Sequence, residues 1–156
     1  MATLTRPRRL LLSLATASSL VAAVLVAVQR RRVSDRVREY TSRVRSAGRS
    51  LPGEAYDPEA VADLPAPVRR YVETVLPAGQ PYVEQVELSQ TGTFRLGDRE
   101  TPWRPFTASQ VYTVSPPAYV WDARITVLPP ATARVVDAYV SGSGLLRANL
   151  LGAIPV

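Results

Sequence analysis

The sequence predicts an α+β protein: an N-terminal transmembrane helix, one or two short helices, then an antiparallel β-meander forming a curved sheet or partial barrel. Three observations carry this. Leu10–Val28 is an uncharged run of 19 residues, about the thickness of a bilayer core at roughly 1.5 Å per residue. From Tyr82 onward apolar and polar residues alternate with a period of 2. The connections between the alternating segments are too short for parallel crossovers.

Composition narrows the chemistry before any motif does. With 156 residues, 46% of them hydrophobic, the chain holds one modest domain plus an anchor, and wholesale disorder is not expected. The absence of cysteine excludes disulfides, thiolate metal sites, a cysteine nucleophile and a lipidated cysteine anchor. The absence of histidine removes the commonest general base and transition-metal ligand. All 19 basic residues are arginine, so Schiff-base and phosphate-loop lysines are excluded as well. Residues 1–49 hold 11 of these arginines against Asp35 and Glu39, whereas residues 50–156 hold 8 against 11 acids. The basic character therefore flanks the apolar run, the globular part is mildly acidic, and a nucleic-acid partner is not expected.

In chain order, Arg6, Arg8 and Arg9 precede the apolar run and Arg30, Arg31 and Arg32 follow it. This pattern suits an uncleaved single-pass anchor in the cell membrane. Its partners would be membrane lipids, met through Leu10 to Val28 and Arg30, Arg31 and Arg32. A cleaved signal peptide shares the basic start, but here Ala27 is followed by Val28, Gln29 and three arginines rather than by a small-residue cleavage site. More arginines follow the run than precede it, which favours a cytoplasmic domain; both flanks are positive, so the side stays open.

Three units follow from this reading: an anchor with basic flanks at 1–32, a juxtamembrane helix and linker at 33–58, and a helix-plus-sheet domain at 59–156. Val33, Val37, Tyr40, Val44 and Ala47 recur at spacings of 4, 3, 4 and 3, a narrow helical stripe that continues from the anchor and stops at Gly48. Its arginines meet either lipid head groups or solvent. Ser50–Pro58 is turn-rich and reads as a linker. Leu64, Val68, Tyr71, Val72, Val75 and Leu76 mark an amphipathic helix, with Pro65 and Pro67 in its first turn and Asp63 able to cap it. Pro77, Ala78 and Gly79 end it. Its wide apolar face is expected to pack on the sheet.

The first strand places Val86, Leu88 and Phe94 on one face, and Leu96–Pro102 is a turn. Phe106, Ala108, Gln110 and Tyr112 then alternate with Thr107, Ser109 and Val111. The next strand lies in Pro116–Val127, with Tyr119, Trp121, Ala123, Ile125 and Val127 on one face and Val120, Asp122 and Arg124 on the other. Leu128–Thr132 turns out of it, and Arg134, Val136 and Ala138 alternate with Val135, Asp137 and Tyr139. Ser141–Gly144 is a further turn. Leu145–Val156 is mostly apolar and begins a last strand or helix, either truncated relative to its relatives or docked on the sheet.

The segments LPAPVRRYVETVLP, GTFR, WRPFTASQ, PPAYVWDARI, VVDAYVSGSG and LLGAIPV occur in this order across residues 62–156. Together they resemble a family of bacterial proteins of unknown function whose members carry an N-terminal membrane helix and continue beyond LLG-x-x-PV. The resemblance implies an aromatic-rich antiparallel meander, similar to the half-barrels of lipoprotein carriers (LolA-like) that hold lipid chains. It implies no functional residues.

Asp122 and Asp137 are the candidate pair for acid–base chemistry or a divalent cation. The competing reading makes Asp122 the partner of Arg124, two residues along the same face. Gln90, Gln110 and Arg95 could order a polar patch. Phe106, Tyr112, Tyr119, Trp121 and Tyr139, with Trp103, could line an apolar pocket for a lipid or similar ligand, or simply form core. No phosphate loop, nucleophile elbow or metal-ligand cluster is visible, so no cofactor or metal is expected. The leading expectation is non-catalytic binding of an apolar ligand at the membrane; the alternatives are a carboxylate-dependent hydrolase or metal-binding enzyme using Asp122 and Asp137, and a truncated non-functional copy.

Overall fold

Alternating segments joined by short turns pair with their neighbours in sequence, because no connection is long enough to carry the chain across the sheet. The computed structural model describes residues 6–48, 54–95 and 97–156, with side chains from residue 16 onward. Among these residues six antiparallel strands lie in chain order: β1 (Gln85–Phe94), β2 (Arg104–Thr113), β3 (Ala118–Leu128), β4 (Ala131–Val140), β5 (Ser143–Leu150) and β6 (Ile154–Pro155). The apolar end of the sequence supplies β5 and β6, extending the expected meander at its edge. The β4–β5 hairpin turns on Ser141 (φ 53°) and Gly142 (φ 80°). Positive φ at both central residues matches the twist of a two-residue hairpin, and Gly142 adopts it without a Cβ penalty. Pro129 and Pro130 alone join β3 to β4.

One face of this sheet is covered by α1 (Arg6–Ala47), a single helix of 42 residues. Val37 and Val44 enter a core with Val111, Val120, Val136 and Ala138, and Tyr40 packs against it. Val44 is 0% exposed. The stripe Val33–Ala47 is thus the helix's sheet-facing seam. Polar contacts pin the seam along its length. Arg30 donates through Nε to the Leu151 carbonyl, Arg134 donates to Ser34 Oγ at 2.8 Å, and Arg45 grips both Glu87 oxygens at 2.8 Å.

The earlier part of α1 runs beyond the sheet with its apolar side chains uncovered; Leu25, for example, is 64% exposed. Among the described residues no helix is long and apolar enough to cross a membrane. Within the run Leu10–Val28, the side chains of residues 10–15 lie outside those described. So do residues 50–53 of the expected linker and Leu96 of the β1–β2 turn.

The second helix, α2 (Ala66–Val75), departs from expectation in two ways. Its N-cap residue is Pro65, with no side-chain cap, so Asp63 does not serve. Its apolar face is not packed on the sheet: no residue of α2 is buried, and Tyr71 is 67% exposed. The cause is local closure. Tyr56 exchanges backbone hydrogen bonds of 2.8 Å with Gly79 and Gln80, and Arg69 Nη1 donates to the Ala62 carbonyl at 3.2 Å. These tie α2 to the 3₁₀ turn Pro58–Val61, and it is α1, not α2, that packs on the sheet.

Candidate functional site: an aromatic sheet face

Register decides which side chains share the face opposite α1. Tyr112, Tyr119 and Tyr139 stand in one cross-strand row, and Gln110, Trp121 and Asp137 in the next. Ala108, Ala123 and Val135 form a third row, and Phe106, Ile125 and Ala133 a fourth. All five candidate ligand residues, Phe106, Tyr112, Tyr119, Trp121 and Tyr139, therefore project from the same, helix-free face. They make an open surface: each ring is partly exposed, and Leu88 and Leu146 on the same face are exposed too.

Small residues make room for the rings. Gly92 lies directly opposite Phe106, and a Cβ there would stand 3.1 Å from the Phe106 ring. Trp121 reaches over β2, where Ala108 offers only a methyl group, and its Nε1 donates to Gln90 Oε1 on β1 at 2.7 Å. Phe106 meets Phe94 edge-on at 6.2 Å between centroids and Trp121 at 6.3 Å. Beneath these rings Ala123 and Ile125 are buried. The Tyr119 hydroxyl donates to Asp137 Oδ1 at 3.0 Å, and this carboxylate acceptor, together with burial, pushes the phenol above its ordinary range. Trp103 stands apart in the β1–β2 connection, with the Arg95 guanidinium stacked 4.9 Å from its ring.

The proposed carboxylate pair does not form. Asp122 lies on the α1 side and Asp137 on the other, because Trp121, not Asp122, is directly opposite Asp137. Successive residues of a strand point to opposite faces, so the two carboxylates cannot converge on one substrate or ion. Nor is Arg124 the partner of Asp122. Arg134 on β4 binds both Asp122 oxygens, at 2.7 and 2.8 Å, and both residues are 8% exposed. Among the described residues no group of acids is placed to hold a metal ion. Gln90 accepts from Trp121 and the Arg95 guanidinium stacks on Trp103, so each has an aromatic partner of its own.

Sequence reasoning missed Arg134 as a structural centre. Its only trace was its place mid-strand at an even-numbered position, in step with Val136 and Ala138.

Residues 62–156 match the model of a family described as a family of unknown function, DUF6920. No curated protein and no solved structure matches the chain.

Proposed function

The chain belongs to the DUF6920 family of unknown function, and we propose that it is a single-pass protein of the cell membrane whose helix-free sheet face binds a lipid chain or other apolar ligand, without catalysis. The observation that carries this reading is the convergence of Phe106, Tyr112, Tyr119, Trp121 and Tyr139 on one uncovered face. Contiguous exposed apolar surface is uncommon on a protein that works alone in water. Covering it would return about 25 cal/mol for each Å² removed from water. The tyrosine hydroxyls and Gln110 border the apolar floor of Ala108, Ala123 and Ile125, which suits a ligand with an apolar body and a polar end.

An anchor supplies the setting. Leu10–Val28 carries no charge and has arginines on both sides, and the exposed Leu20, Val21, Val24 and Leu25 lie on the part of α1 that extends past the sheet. An antiparallel sheet with a helix on one side and an apolar opposite face is also compatible with a LolA-like half-barrel.

Titration of the detergent-purified full chain with a fluorescent fatty acid tests the reading. Saturable uptake is expected, weakened about tenfold in Tyr139→Arg and Leu146→Arg, which place charge on the face. Absence of uptake, or uptake indifferent to both substitutions, would sink the ligand reading. Alkaline extraction of membranes tests the anchor separately: the protein should stay in the pellet, and its release would contradict anchoring alone.

A further inference from the structure

A second site lies where α1 meets the ends of β3, β4 and β5. Arg30, Arg124 and Arg134, with Ser34 and Thr132, line a cavity of about 240 Å³ there. Three arginines line it, yet among the described residues the adjoining cleft is lined by one carboxylate, Asp122, and both its oxygens are taken by Arg134. Arg124 and Arg134 are directly opposite in the β3–β4 register, an arrangement of like charges that destabilises a sheet. Among the described residues Arg124 has no ion-pair partner. Arg134 uses Nε and both terminal nitrogens once each, which leaves two of its five N–H donors for another acceptor. Arg30 is held in place by the Leu151 carbonyl through Nε, so its terminal nitrogens are free to point elsewhere.

With Arg134 paired to Asp122, Arg30 and Arg124 leave an excess of two positive charges at the cavity, Arg30 held by a backbone carbonyl and Arg124 exposed and unpaired, a field that attracts an anion. Guanidinium forks and hydroxyls match the oxygens of a phosphate group, which takes paired N–H donors. We propose that this cavity binds a phosphate group, either the head-group phosphate of an anionic lipid or a free phosphate. Position favours the head group: Arg30 immediately follows the apolar run Leu10–Val28, so a helix anchored by that run holds the cavity at the depth of lipid phosphates. That preference, though not the site itself, rests on the anchoring proposed above.

The test measures thermal stability of the detergent-purified full chain, in a zwitterionic detergent at constant ionic strength. It is titrated in one arm with inorganic phosphate and in the other with short-chain phosphatidic acid, with phosphatidylcholine as control. Arg124→Gln is the key variant, because this exposed side chain supports no other contact, and Arg30→Gln is the second. A saturable rise in melting temperature is expected, with half-saturation about tenfold weaker in Arg124→Gln. A response to phosphatidic acid alone assigns a lipid head group, a response to inorganic phosphate alone assigns a free phosphate, and a response to both assigns the phosphate group itself. No response in either arm, or one unchanged in Arg124→Gln and Arg30→Gln, overturns the proposal. Should alkaline extraction release the protein while phosphate still protects it, anchoring fails and the phosphate site stands.

Discussion

Asp122 and Arg134 form a bidentate pair between two central strands, and Ser34 extends it to the helix. Removing one member leaves the other charged, buried and unpaired, whereas removing both leaves only a packing problem. Arg134→Met should therefore cost roughly 3–5 kcal/mol in denaturant unfolding, and the double variant Asp122→Leu/Arg134→Met clearly less. Equal losses would show that packing, not charge, holds this place. On the opposite face, Asp137→Asn removes the charged acceptor of the Tyr119 hydroxyl, so Tyr119 should ionise at lower pH in a spectroscopic titration. Its raised value favours the neutral phenol, so that contribution is present below about pH 10, the ordinary tyrosine range, and is lost as pH rises through the folded value. The sequence makes Asp122 visible but not its partner. Arg124 is near in the chain and on the same face; Arg134 becomes adjacent only once the Pro129-Pro130 turn sets the register of β3 against β4.

At the scale of elements, the seam of α1 was legible and its partner was not. A spacing of 4, 3, 4 and 3 says which side chains share a stripe; what lies against the stripe depends on how β2, β3 and β4, much later in the chain, return to it. Val44→Ala deletes two methyl groups at a fully buried position and should cost about 2 kcal/mol. The α1 docking should also weaken in acid. Arg45 holds the Glu87 carboxyl below its ordinary range, chiefly by hydrogen bonding. A depressed carboxyl value means that the contribution is present above the ordinary carboxylate range and lost as pH falls through the folded value. Glu87→Gln should flatten this part of the acid dependence, as read from hydrogen exchange of residues 37–47. Both side chains are about half exposed, so added salt should have the same weakening effect in the wild type. The amphipathic pattern of α2 was equally clear, but it carried no information that Tyr56 would clip the segment to Gly79 and Gln80.

For the molecule as a whole, short turns and a period of 2 made the meander legible, and with it the grouping of Phe106, Tyr112, Tyr119, Trp121 and Tyr139. Which face the helix would occupy was not legible, because both faces of β3 carry apolar residues: Val120 on one, Trp121, Ala123 and Ile125 on the other. That choice gives the molecule its two unlike sides, with α1 and the arginine cavity on one and an open aromatic surface on the other. The most direct test is photo-crosslinking of the full chain in membranes with a diazirine-bearing fatty acid, followed by mapping of the adducts. Adducts on β2, β3 and β4 at residues of the helix-free face, lost in Tyr139→Arg and Leu146→Arg, are the predicted result. Adducts confined to Leu10–Val28, with the sheet unlabelled, would contradict it.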